Sequence, residues 1–119
     1  MRVLICGSRD WTNEQAIHTE LDRLYARYGN DLVIIQGNAP GADTIAARYA
    51  ALELGIKQEA YRADWHKHGK AAGPIRNQQM LDEGKPQGVV AFQLHNSRGT
   101  EDMIRRAKAI GLPVIVYSL

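Results

Sequence analysis

The chain has 119 residues, of which 45% are hydrophobic and 24% charged, which predicts one globular domain over residues 1–119. A net charge of +2 argues against nucleic-acid binding driven by a bulk field, although a pI near 8.8 does not exclude it. The one cysteine, Cys6, excludes an internal disulfide framework and is expected to pack in the core. The sequence has no apolar run of membrane-spanning length, so we expect a cytoplasmic protein with no membrane partner.

The first half of the chain alternates short apolar runs with helical patterns. It predicts, in chain order, a strand at Val3–Cys6, a helix ending at Gly29, a strand at Leu32–Ile35 and a helix from Gly41 to Gly55. Thr12 is predicted to cap the first helix, with Gln15 completing a capping box. Leu52 is expected to share the apolar face of the second helix with Ile45 and Tyr49.

The second half continues the alternation. It predicts an edge strand at Ile56–Tyr61, a loop at Arg62–Gly73, a helix from Pro74 to about Glu83, a strand at Val89–Phe92, a helix from about Thr100 to Ile110 and a last strand at Pro113–Tyr117. Loops as long as Arg62–Gly73 are often binding loops in compact domains.

This strict alternation with continuous apolar strands predicts an α/β fold. We expect a Rossmann-like three-layer α/β/α domain whose five-stranded parallel sheet has the order 3-2-1-4-5 and is covered on both faces. Ligands of such folds bind beyond the carboxyl ends of the strands where the strand order reverses, here between the first and fourth strands. That position brings Gly7, Ser8 and Arg9 towards Arg98, Gly99 and Thr100.

Gly99 and Thr100 form the most informative of these segments. A glycine turn that leads from a buried strand into a helix lets a ligand approach the backbone, and the first N–H groups of the helix attract anions. The turn Gly7–Arg9 offers further N–H groups, a hydroxyl and a guanidinium, or it is a surface turn with a solvated arginine. It is neither the three-glycine dinucleotide fingerprint nor a Walker lysine motif.

Two further junctions carry polar groups. Gly37 and Gly41 shape the loop after the second strand, and Asp43 beside them is expected to hold a ribose or only to complement the helix dipole. In the long loop, Trp65 is suited to stack on a base and Lys70 to meet phosphate. His66 and His68 lack further metal ligands, so no metal site is expected.

Arg76 and Asn77 come at the start of the third predicted helix. A cation there opposes the helix dipole, which indicates that Arg76 has an anionic partner, either a ligand or a nearby carboxylate.

These residues together resemble the SLOG superfamily of Rossmann-like nucleotide-ligand domains, and specifically its YspA-type (YAcAr) family. The resemblance covers nearly the whole chain and is carried by Gly7-Ser8-Arg9, Gly37 to Asp43, Asp64-Trp65, Gly69-Lys70, Gly73 to Asn77 with Met80, and Gly99-Thr100. It implies a nucleotide-derived small-molecule partner such as ADP-ribose and no separate cofactor.

The same superfamily contains the LOG enzymes, which split nucleoside 5′-monophosphates into a base and ribose 5-phosphate. Arg76 with Met80 is similar to their arginine segment, and Gly99-Thr100 is similar to their glycine-rich loop. Their catalytic glutamate follows the threonine by three residues, where this chain has Met103, and residues 95–98 replace their double glycine. Arg76 is therefore a catalytic candidate if the chain hydrolyses its ligand, and Glu101 or Asp102 stands in for the missing glutamate.

Binding of a nucleotide-derived ligand is the leading hypothesis. Phosphoribohydrolase activity is the alternative, and single-stranded DNA handling is a third, because a DNA-uptake family shares the superfamily fold. In the plainest alternative the glycines only shape turns and the arginines pair with Asp10, Asp43, Asp64 and Glu101. Related enzymes pair through helices, which leaves a homodimer open.

Overall fold

The computed structural model describes residues 1–95 and 97–118, and its parallel sheet confirms the predicted fold class and strand order. The strands are β1 (Arg2–Gly7), β2 (Val33–Gln36), β3 (Lys57–Ala60), β4 (Gly88–Gln93) and β5 (Val114–Ser118), ordered β3-β2-β1-β4-β5. The helices are α1 (Glu14–Tyr28), α2 (Ala42–Arg48), α3 (Trp65–His68), α4 (Ala72–Gly84) and α5 (Arg98–Ala109). A π-helical turn, Tyr49–Leu54, extends α2, and short 3-10 turns lie at Gly29–Asp31 and Gly69–Ala71.

The helices cover the two faces of the sheet in pairs. On one face α1 and α2 pack on Ile5, Ile34 and Phe92, and on the other α4 and α5 pack on Leu4 and Ile35. Side chains of this size, fully buried, each contribute about 1.5–3 kcal/mol to folding. Cys6 lies in the second of these clusters, as expected for a packing residue.

The start of α1 differs from the predicted one by one residue. Asn13 is the N-cap, because its Oδ1 accepts a hydrogen bond from Ala16 N at 3.2 Å. The predicted cap at Thr12 and its capping box are therefore wrong, and the Gln15 amide bonds the Thr19 hydroxyl instead. Asparagine and threonine are both good caps, so the sequence did not discriminate between neighbouring positions.

The end of α2 also departs from the prediction. Leu52 is 79% exposed and does not share a buried face with Ile45. The π-helical turn explains this, because it widens the helix from Tyr49 onward and shifts the phase of every later side chain.

The predicted loop at Arg62–Gly73 is partly helical. Asp64 caps α3 by accepting a hydrogen bond from Lys67 N at 3.0 Å, and α4 begins at Ala72, before Pro74. Likewise α5 begins at Arg98 and not at Thr100. Residue 96 of the segment that replaces the LOG double glycine lies outside the described residues.

The sheet is not covered on both faces along its whole width. β3 is an edge strand, as predicted, but β5 forms the other edge with Ile115 44%, Val116 39% and Tyr117 37% exposed. Tyr117 stacks on Phe92, and its hydroxyl donates to Glu20 at 2.6 Å. The helices pack nearer the centre of the sheet, so the apolar sequence of β5 was misleading about its burial.

Candidate functional site

A cavity of about 480 Å³ opens at the carboxyl edge of the sheet, beyond the ends of β1 and β4. These strands are neighbours in the sheet, and this is the predicted point at which the strand order reverses. Most of the predicted ligand-binding residues line this cavity: Gly7, Ser8, Arg9, Asp43, Trp65, Lys70, Arg76, Asn77, Arg98, Gly99 and Thr100. Segments far apart in sequence therefore converge on one space.

Arg76 projects into this space from near the start of α4. Its Nη1 donates to the Gly37 carbonyl at 2.6 Å and its Nε donates to Asn77 Oδ1 at 3.1 Å. No carboxylate of the described residues forms an ion pair with this guanidinium. Burial lowers the pKa of Arg76, and the charge of Asp43 offsets this only in part. The side chain is thus a partly desolvated cation held in place by neutral acceptors.

Gly37 and Asp43 shape the loop beside Arg76. Oδ2 of Asp43 accepts hydrogen bonds from Gly37 N at 3.1 Å and Ala39 N at 3.2 Å. The carboxylate is 4% exposed, and this burial raises its pKa to about 6, against the lowering effects of those two N–H groups and of Arg76. Asp43 therefore organises the loop with one oxygen, while Oδ1 accepts no hydrogen bond from the described residues.

The start of α5 forms the wall opposite that loop. Ser97 is the N-cap, but its hydroxyl donates to Thr100 Oγ1 at 2.7 Å and does not cap a backbone N–H group. A Cβ atom at Gly99 would meet no protein atom within 4 Å, and its φ is not in the left-handed region. Neither backbone geometry nor packing among the described residues requires a glycine there. The vacant space beside Gly99 lies at the positive end of the helix dipole.

Asp102 and Asn77 join α5 to α4 in the wall of the cavity. Nδ2 of Asn77 donates to Asp102 Oδ2 at 3.0 Å and to the Gly99 carbonyl at 3.1 Å. Arg105 and Arg106 also donate to Asp102, at 2.7 and 2.8 Å. Burial alone would raise the pKa of Asp102, but the bonds from Arg106 and Asn77 outweigh it and the pKa is lowered. Asp102 is therefore a fixed anion that positions the first turn of α5.

The turn after β1 is held by Ser8. Its hydroxyl accepts a hydrogen bond from Leu94 N at 2.8 Å, which ties the ends of β1 and β4 together. Gly41, with φ +80°, packs directly against the carbonyl oxygens of Ser8 and Arg9. Gly41 therefore lies outside the cavity and acts by letting α2 approach this turn.

Trp65 and Arg9 form the outer rim. The guanidinium of Arg9 lies over the indole of Trp65, 5.3 Å from the ring centre. The indole is 48% exposed and packs near Gly73. Trp65 is therefore accessible to a ligand, with one cation already stacked on it.

Of the two carboxyl candidates for catalysis, Asp102 lines the cavity and Glu101 does not. Glu101 is exposed, does not line the cavity, and accepts a hydrogen bond from Gln93 Nε2 at 2.6 Å. Met103 is fully buried in the core between α5 and the sheet. Arg76, the predicted catalytic arginine, also lines the cavity.

Sequence reasoning missed several lining residues. Among them are Met80, Leu94 and His95 in this cavity, and Arg62 in a smaller adjoining one that Gly37 also lines. The helical spacing of Asn77, Met80 and Leu81 in α4 was the available signal for Met80. In the described residues, His, Cys, Asp and Glu side chains form no group of three or more able to hold a metal ion.

A parallel α/β domain with an arginine-lined cavity at the strand-order reversal belongs to the Rossmann-like fold class. The chain belongs to the YspA, cpYpsA-related SLOG family, whose model matches residues 1–68. It is 40% identical over 123 residues to the Gene 61 protein of Mycobacterium phage D29, covering 98% of this chain and 95% of that protein.

A solved structure shares the fold. DNA processing protein A (DprA) from Streptococcus pneumoniae superposes with a TM-score of 0.57 at 19% sequence identity. The match covers 96% of this chain but 58% of the DprA chain. Separately, the described part of the chain has no helix that is long and apolar enough to cross a membrane.

Proposed function

We propose that this domain binds a nucleotide-derived small molecule, such as ADP-ribose or a nucleoside phosphate, in the larger cavity. The observation that carries the proposal is Arg76, a partly buried guanidinium that faces the cavity and has no carboxylate partner among the described residues. Burying this cation costs free energy that the charge of Asp43 offsets only in part, and an anionic ligand would offset more of it.

The phosphate lies at the start of α5 in this proposal. The open space at Gly99 admits a phosphate oxygen to the backbone, and Thr100 adds a hydroxyl while Arg76 supplies the charge. Oδ1 of Asp43 accepts a ribose hydroxyl, and the exposed indole of Trp65 contacts the base. The reduced thiol of buried Cys6 suits the cytoplasm, where we place the protein.

Binding is favoured over hydrolysis. Neither carboxyl group of the first turns of α5 is free to serve as the acid or base of glycosidic cleavage. Glu101 contacts Gln93 outside the cavity, and Asp102 is occupied by Asn77 and two arginines. Incubation with AMP, followed by chromatography for free adenine, tests the enzymatic alternative directly.

The test of the proposed function is thermal unfolding and calorimetry with AMP, ADP and ADP-ribose. A ligand at a hundredfold excess over its Kd stabilises the folded state by about 2.7 kcal/mol, a readily measured shift. Arg76→Ala should abolish the shift. Arg48→Ala is the matched control, because Arg48 is exposed at the end of α2 and lines neither cavity. No shift with any of the three compounds, and no effect of Arg76→Ala in calorimetry, would contradict the proposal.

A further inference from the structure

A smaller cavity of about 210 Å³ adjoins the larger one. Arg9, Ala39, Trp65 and Arg76 line both, so these residues stand between the two spaces. Its remaining walls are the loop after β2 and the segment after β3, which contributes Arg62.

The charge of this smaller cavity is entirely positive. Its charged lining residues are Arg9, Arg62 and Arg76, and no carboxylate lines it. None of the three forms an ion pair with a described carboxylate. The acids nearest Arg62 in sequence are engaged elsewhere, Glu59 with Arg2 and Asp64 with the backbone of α3. The charge of Asp43, which lies outside this cavity, offsets part of the repulsion between Arg9 and Arg76, and an anion within the cavity would offset more of it.

The backbone N–H groups of the loop are already engaged, so the guanidinium groups are the donors for such an anion. In the loop that lines the cavity, Gly37 N and Ala39 N donate to Asp43, and Asn38 N donates to Gln36 Oε1 at 2.5 Å. The planar fork of arginine matches two phosphate oxygens at once. Arg62 makes no hydrogen bond with the described residues in this structure, so its donors are available.

We propose that the smaller cavity binds a second phosphoryl group of the ligand whose first phosphate lies at the start of α5. The preferred ligand is then a nucleotide derivative with two phosphoryl groups, and Arg62 is a specificity residue for the second one. This assignment rests on the proposed function of the larger cavity. Arg9 and Arg76 lie between the two phosphoryl groups and contact both.

The experiment is calorimetry with AMP, ADP, ADP-ribose, adenosine 3′,5′-bisphosphate and the dinucleotide pdApdA, on wild type, Arg62→Ala, Arg62→Lys and Arg48→Ala. At least one small two-phosphate compound should bind about tenfold more tightly than AMP, the usual size of a charge-assisted contact. Arg62→Ala should remove that difference and leave AMP affinity unchanged. Arg62→Lys should keep part of it, and Arg48→Ala should keep all of it.

Failure of the second subsite and failure of the proposed function give different results in this experiment. If AMP binds through Arg76 as tightly as every two-phosphate compound, and Arg62→Ala weakens none, only the second subsite is overturned. If no compound binds wild type, the proposed function falls and the subsite with it. If pdApdA alone binds, and does so through Arg62, single-stranded DNA replaces the small molecule as ligand. Arg62 is exposed, so unchanged thermal unfolding of the free variants will show that folding is not the cause.

Discussion

The guanidinium of Arg76 lies directly on the backbone of Gly37. A Cβ atom at position 37 would be 2.5 Å from Nη1 and 2.8 Å from Cζ of Arg76. It would also be 3.0 Å from Asp43 Oδ2, so it has little room on either side. A side chain at position 37 would therefore displace the guanidinium of Arg76.

The first prediction is that Gly37→Ala displaces Arg76. We expect weaker ADP binding and a loss of about 1 kcal/mol in the free energy of unfolding, because the displaced Arg76 loses its hydrogen bond to the Gly37 carbonyl. Urea unfolding and calorimetry measure the two effects. Gly88→Ala is the control, because its Cβ would only reach ordinary contact at 3.8 Å from the Pro113 carbonyl. Equal stability and affinity of Gly37→Ala and wild type would show that Arg76 has another position.

The second prediction is that a substitution at Gly99 weakens ligand binding without weakening the fold. Gly99→Ala places a methyl group where, apart from its chain neighbours and the backbone of its own helix, no atom of the described residues lies within 4 Å. We expect unchanged stability, or a gain of up to about 1 kcal/mol from better helix propensity, together with at least about tenfold weaker ADP binding. Urea unfolding and calorimetry on one preparation would test both parts. ADP affinity equal to that of wild type would remove Gly99 from the binding site.

The sequence predicted where these groups meet, but not how each one acts. The loops that follow parallel strands lie at one edge of the sheet, so the sequence pattern alone predicts that Gly7, Asp43, Arg76 and Gly99 lie close together. The contact between Gly37 and Arg76 joins residues 39 apart and depends on the exact position of α4.

Helix phase explains the remaining differences at the site. α5 begins at Arg98, which directs Asp102 towards Asn77 and leaves Glu101 exposed beside Gln93. Adjacent helical positions differ by about 100° in direction, so the side that each acid faces follows from packing and not from its chemistry. Arg62 was missed because a charged residue in a loop is usually solvated.

The third prediction concerns the link between α4 and α5. Asn77→Ala leaves Asp102 and the Gly99 carbonyl without their amide donor, and Arg76 Nε without its acceptor. Partly buried polar groups left in this way should cost about 1–3 kcal/mol of unfolding free energy. Gln79→Ala is the control, because Gln79 lies on the same helix and makes no hydrogen bond with the described residues. If both variants unfold at the same urea concentration, the Asn77 link does not stabilise the fold.

The fourth prediction is a pH dependence carried by Asp43. Its pKa is raised from 3.8 to about 6 on folding, so the folded state binds this proton more tightly than the unfolded state. The stability that protonated Asp43 contributes is complete below pH 3.8 and is lost as the pH rises through about 6. The two pKa values correspond to a loss of about 3 kcal/mol in the free energy of unfolding by neutral pH. Asp43→Asn keeps an oxygen acceptor for Gly37 N and Ala39 N but does not ionise.

The stability of Asp43→Asn relative to wild type should therefore increase between pH 4 and pH 7. Urea unfolding across that range measures it, with Asp31→Asn, at an exposed site, as the control that subtracts general charge effects. Taking the difference between variants matters, because carboxylates with lowered pKa, such as Glu59 and Asp102, change stability in the opposite direction and are common to both proteins. A pH-independent difference would mean that Arg76 and the loop N–H groups offset the burial of the Asp43 charge completely. Arg76 would then already be balanced by an internal anion, which would remove the main electrostatic reason for a ligand phosphate beside it.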